Sequence, residues 1–283
     1  MEFIEYNVDG GIAVITLNRP DKANSQHRPL LDELNACWDS AAQDDEVRVI
    51  LVQANGRHFS AGHDLASAGA RGEEAKDTPW TLSSMYIAEA RYFFGYSMAW
   101  RNCPKPSIAA VHGKCVAAGM MLCWPCDLII AADNAEFSDP TARMGLAGIE
   151  YMAHTWEMGA RKAKELLWRS TPINATEALG LGMVNKVVPL DDLRNEAMTW
   201  ARDVATLDPV MTMIIKRGIN SQLDTMGFTN SLAHSFDLHE LAHGIQASAR
   251  AVDGGAPRGN LLEHMRSTNK SIAGGRDPES GAA

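Results

Sequence analysis

Three features of this 283-residue chain predict an α/β fold. Short apolar, β-branched runs alternate with amphipathic stretches, the pattern of strands joined by crossover helices. Two such runs, at Val49 and Ile108, are separated by one strand–turn–helix unit, and turns rich in small residues follow both. Past residue 206 the strand-like runs stop and the pattern turns helical. Hydrophobic residues make up 46% and charged residues 22% of the chain, enough to bury a sizeable core without disulfide staples.

The elements follow in order. Phe3–Val8 and Ile12–Leu17 read as a hairpin turning at Asp9-Gly10-Gly11. Pro29 starts a helix to about Gln43, with Leu30, Leu31, Leu34 and Trp38 on one face. Val47–Val52 is a buried strand, and the segment Phe59–Leu65 follows it after a turn. Residues 66–78 are small, polar and charged, and read as a mobile loop. An aromatic-rich helix is expected from about Trp80 to Trp100, stopped by Pro104 and Pro106. Ser107–Val111 is a strand, Ala117–Leu122 a short helix, and Asp127–Ala131 a strand. Glu177–Pro189 reads as a helix end running into a short strand. Helices are expected from Asp191 to about Leu207 and from Pro209 onward. The chain divides into an α/β core over 1–205, a helical region over 206–260 and a flexible tail over 261–283.

The net charge of −9, with no basic run, argues against nucleic acid and anionic membranes as partners. No apolar run reaches the roughly 20 residues of a membrane span. The opening residues lack the pattern of a secretory signal. All five cysteines (37, 103, 115, 123 and 126) sit in apolar stretches, as expected of reduced thiols in a cytoplasmic protein.

Two segments can present backbone N–H groups to a ligand. One is Phe59-Ser60-Ala61-Gly62-His63-Asp64-Leu65, where small residues allow close approach. The other runs from Val111 to Gly119, a strand followed by a small-residue turn and a helix N-terminus. Two such donors from separate turns would make an oxyanion hole.

These segments, with Asn18-Arg19-Pro20…Asn24, the run from Pro104 to Gly113, Cys126–Ala131 and Ala178–Pro189, resemble the crotonase superfamily, the enoyl-CoA hydratase/isomerase family, over about residues 5–255. The resemblance implies a crotonase-like spiral of ββα units with a C-terminal helical trimerisation region. It implies an acyl-CoA thioester as partner, coenzyme A being part of the substrate, with no separate cofactor, and a homotrimer or dimer of trimers. It assigns the oxyanion donors to the His63 and Ala118 backbone N–H groups. It places Lys22, Ala23, Ser60, Ala61 and Gly62 toward the coenzyme A end, and Asp64, Leu65, Ala117, Met121 and Thr141 among the substrate contacts.

Two departures matter. The positions at which hydratases of this family carry glutamates hold Met121 and Thr141 here, and neither can do carboxylate acid–base work. In the family the loop Gly145–Tyr151 borders the acyl end, so Glu150 becomes the first candidate base, its pKa expected to rise in an apolar pocket. A plain surface carboxylate is the competing reading. Asp139, expected to brace the turn before Pro140, and His154 stand behind it. The His63 imidazole is expected to be a hydrogen-bonding bystander. His63 and Ala118 lie 55 positions apart, room for a lid that shapes a bulky acyl site.

Two motifs are discounted. His239-Glu240-Leu241-Ala242-His243 is a literal H-E-x-x-H, but no third ligand follows in sequence, so no bound metal is expected. Cys123-Trp124-Pro125-Cys126 leads into a buried strand and is read as structural. The expected function is that of an enoyl-CoA hydratase-type enzyme, with an isomerase or hydrolase using Glu150, or a non-catalytic acyl-CoA binder, as alternatives.

Overall fold

The computed structural model describes residues 1–65 and 81–252. The expected loop at 66–78 and the tail at 261–283 lie outside the described residues. Nine strands fall into two sheets among the described residues. The larger has β1 (Ile4–Asp9), β2 (Ile12–Leu17), β3 (Val49–Ala54), β4 (Ser107–Val111), β6 (Leu128–Ala132) and β9 (Lys186–Val188) in that spatial order. Only the β1–β2 hairpin is antiparallel; every later pair is parallel. The smaller sheet orders β5 (Lys114–Val116), β7 (Glu136–Ser138) and β8 (Ile173–Asn174).

Both faces of the larger sheet are covered, which explains its continuous apolar runs. Along β2, Ala13, Ile15 and Leu17 face the main core, while Ile12 and Val14 face the other way. The main core includes Leu30, Leu31, Leu34 and Trp38 of α1 (Arg28–Gln43). The opposite face receives Leu193, Ala197 and Ala201 of α6 (Leu193–Ala205).

The expected 80–100 helix is two helices, α2 (Leu82–Glu89) and α3 (Tyr96–Arg101), joined by a π-helical segment over Ala90–Gly95. A π turn inserts an extra residue and re-aims the side chains around it. The short helix at Ala117–Leu122 is a 3₁₀ helix. Helix α4 (His154–Arg169), not foreseen from sequence, precedes α5 (Ala175–Leu181). The chain then runs through α7 (Pro209–Thr225) and α8 (Phe228–Val252). Leu232 and Phe236 of α8 are buried, worth roughly 1.5–3 kcal/mol each. Ile214, Ile215, Ile219, Leu241 and Ile245 are more than half exposed. No helix among the described residues is long and apolar enough to cross a membrane.

Candidate active site

Backbone pairing brings the two small-residue turns together. Gln26 pairs with His63 as an isolated parallel bridge: the Gln26 amide donates to the Gly62 carbonyl, and the Asp64 amide to the Gln26 carbonyl. In that arrangement the His63 N–H faces away from Gln26. Ser60 pairs with Cys115 in the same way. Ala118 is the second residue of its 3₁₀ helix, so its N–H has no partner within that helix.

Glycine is required where the turns touch. A Cβ on Gly62 would lie 2.6 Å from the Val116 carbonyl oxygen and 3.4 Å from the Ala118 nitrogen. Gly62 also takes a φ of +82°, and Ala117 beside it takes +47°, a left-handed conformation unusual for alanine. Gln26, which sequence reasoning missed, locks the frame. Its side-chain amide donates to the Ala118 carbonyl at 2.8 Å. The neighbouring Asn24, fully buried, donates to the carbonyls of Asn55 and His58.

The other expected ligand contacts distribute unevenly. Ala61 donates its amide to the Ala23 carbonyl, and the Ser60 hydroxyl donates to the Asn24 carbonyl, so Ala23, Ser60, Ala61 and Gly62 form one patch. Lys22 and Leu65 are exposed beside it. Asp64 accepts from Arg19 Nη1 at 2.7 Å, which ties it to the turn. Met121 is buried, lining a void with Gln26, Tyr92, Phe93 and Ser97.

Glu150 is not a surface carboxylate: it is 3% exposed. Its Oε1 accepts from His63 Nε2 at 2.9 Å, and the His63 ring stacks on Phe93 with centroids 3.9 Å apart. The π segment supplies that phenyl ring. An ionised carboxylate only accepts, so Nε2 carries the hydrogen and Nδ1, buried and without a hydrogen-bond partner, is left facing away from Glu150. The expected upward shift of Glu150 is corrected. Burial pushes its pKa up, but the neighbouring His63 and His239 outweigh burial and hold it below the usual carboxylate range. The sequence contained both histidines but not their nearness.

Asp139 and His154 form a separate pair. His154 Nε2 lies 3.0 Å from Asp139 Oδ2, and both residues are fully buried. Thr141 donates its amide to Asp139 Oδ1 at 2.9 Å, so Thr141 and Asp139 brace one turn. His154 packs edge-on against Trp124. All five cysteines are free and buried, and burial raises the Cys123 and Cys126 thiol pKa values.

Next to Glu150 lies a second group of titratable side chains. His239 of α8 presents Nε2 3.8 Å from Glu150 Oε1 and 3.5 Å from Glu89 Oε2. Burial works against an imidazolium there, but the carboxylates of Glu150 and Glu89 outweigh it and push the His239 pKa up to about 9. Burial and the facing Glu89 carboxylate raise the pKa of Glu240.

Residues 7–246 match the family profile described as enoyl-CoA hydratase/isomerase. A Mycobacterium tuberculosis protein, named provisionally as an enoyl-CoA hydratase, is 41% identical over 257 residues, 86% of this chain and 81% of that protein. The crystal structure of a probable enoyl-CoA hydratase from Mycobacterium smegmatis is 48% identical, with a TM-score of 0.83 over 90% of this chain and 98% of that one. A probable enoyl-CoA hydratase from Mycobacterium thermoresistibile is 47% identical, with a TM-score of 0.81 over 87% and 99%.

Proposed function

The chain belongs to the enoyl-CoA hydratase/isomerase family, and on that premise we propose that it acts on an acyl-CoA thioester, with the Glu150–His63 pair moving the proton. The carrying observation is that pair, 2.9 Å apart, on the same residue whose backbone N–H belongs to the oxyanion frame. The thioester carbonyl is held by the His63 and Ala118 N–H groups, which stabilise the oxyanion of its enolate. Glu150 fixes the His63 ring with Nε2–H toward itself and stabilises an imidazolium once His63 has taken a proton. A carboxylate held at low pKa suits this orienting role better than a lone base role. Met121 and Thr141 leave this pair to do the work.

Hydration of a 2-enoyl-CoA is the first reading, in keeping with the names of the relatives. A second reading, migration of the double bond, is favoured by one specific observation. Hydration needs one group to activate water and another to protonate carbon, whereas a double-bond shift needs a single pair to take and return a proton. Incubating the protein with 2-enoyl- and 3-enoyl-CoA thioesters in heavy-oxygen water separates them by mass. Hydration incorporates the heavy oxygen; isomerisation converts one regioisomer to the other at constant mass. A protein that binds thioesters and changes none of them supports the non-catalytic binder instead.

The exposed apolar residues of α7 and α8, Ile214, Ile215, Ile219 and Leu241 among them, support assembly through this region as a homotrimer or dimer of trimers. The patch over Ala23 and Ser60–Gly62, beside Lys22, is the proposed seat of the coenzyme A end. The buried, free cysteines support a cytoplasmic location.

A further inference from the structure

We propose that Glu89, His239 and His243 form a binding site for a single zinc-class divalent cation at the edge of the Glu150–His63 pair. The third donor that the sequence did not offer comes from another element. Glu89 ends α2, where the π segment begins, and lies 150 positions from His239. His239 and His243 are one helical turn apart on α8, so both rings fall on one face.

The geometry is that of a ligand set. His239 Nε2 and His243 Nε2 are 3.1 Å apart. Glu89 Oε2 lies 3.5 Å from the first and 3.8 Å from the second. Those two separations are long for hydrogen bonds, and Glu89 Oε2 is buried without a hydrogen-bond partner. Three atoms at these spacings share a centre about 2.0 Å from each, the length of a Zn–N or Zn–O bond. One ligand atom from each of the three residues lies within 4.8 Å of the other two.

Support for the ligands is also present. His239 Nδ1 donates to the Gly148 carbonyl at 2.8 Å, so Nε2 is the nitrogen turned toward Glu89 and His243, and it can take a metal by giving up its proton. Metal-ligating histidines are oriented by such a bond on their other nitrogen. Two nitrogens and one carboxylate oxygen suit zinc and its neighbours, not calcium or magnesium, which take oxygen ligands.

Binding at this site does not depend on the acyl-CoA reading, and its test does not use turnover. The full-length protein is stripped with chelator, dialysed and titrated with zinc chloride alone by calorimetry. Metal content is measured after gel filtration, and the visible spectrum is recorded with cobalt(II). The expected result is about one equivalent per chain, proton release on binding and the intense visible bands of low-coordinate cobalt. His243 is half-buried, so His243→Ala should fold; circular dichroism and melting check that. This variant should lose more affinity than the roughly 10–100-fold that removal of a supporting group costs. His234→Ala, an exposed histidine on the same helix, should keep the wild-type affinity. Uptake below about a tenth of an equivalent by the wild type, or wild-type affinity in folded His243→Ala, overturns the site.

Discussion

Among the described residues, two carboxylate–imidazole pairs stand at 3.0 Å or less, and they differ in surroundings far more than in length. Asp139 and His154 stand 3.0 Å apart with neither residue exposed. Glu150 and His63 stand 2.9 Å apart, but the His63 side chain is 21% exposed and lies in the turn proposed to hold the thioester carbonyl. In the first pair the carboxylate also accepts the Thr141 amide and hydroxyl, so it holds a turn. Both pairs leave a carboxylate oxygen and a ring nitrogen without a hydrogen-bond partner, so exposure and position separate them, not satisfaction. Pairing alone therefore does not mark chemistry; a partly exposed imidazole set in a turn of small residues is what singles out the second pair.

The sharpest way to break this comparison is to neutralise each carboxylate in turn. Glu150→Gln keeps the shape and removes the charge that orients His63, so turnover of an acyl-CoA substrate should fall by about 10²–10⁴-fold with thioester binding retained. Steady-state rates and calorimetric titration with the same thioester check both halves. Asp139→Asn should act on the fold instead, costing about 3 kcal/mol, because one partner of a buried pair is removed. Urea unfolding measures that cost, and a loss of turnover without a loss of stability would place Asp139 in the chemistry.

A smaller effect probes the frame itself. Gly62→Ala forces a methyl group toward the Val116 carbonyl and puts alanine at a φ of +82°, for about 1–3 kcal/mol of strain. Thioester affinity should fall with it, since the same turn carries the His63 donor. The smallest expected effect is on acid stability. The folded-state pKa of Glu150 is depressed, so its contribution is complete above the ordinary carboxylate range and is lost as pH falls below that range. Urea midpoints between pH 5 and pH 3 should fall more steeply in the wild type than in Glu150→Gln.

What could be read from sequence follows the range of the interactions. The hairpin, α1, β4 and the two small-residue turns rest on local periodicity and glycine placement, and they stand where the pattern put them within a few residues. Glu150 was reachable as a candidate through the resemblance, but its electrostatics were not. His63 is 87 positions away and His239 comes from α8, so the groups that pull its pKa down meet only on folding. Gln26 carried no signal of its own: a polar residue in a loop becomes a lock only because Ala118, 92 positions on, packs beneath it. The π segment was hidden for another reason. Its aromatic run satisfies a plain helix equally well, and only the packed structure shows the extra residue that turns Phe93 onto His63.

The central claim is that Glu150 and His63 move a proton at the carbon beside a thioester held in the oxyanion frame. Exchange at that carbon tests it without assuming which product forms. A saturated acyl-CoA is incubated in deuterated water, and deuterium entry at the α-carbon is followed by mass and NMR. The wild type should exchange that hydrogen, and Glu150→Gln should do so about 10²–10⁴-fold more slowly while binding the thioester equally well. Exchange at the wild-type rate in Glu150→Gln would contradict the account.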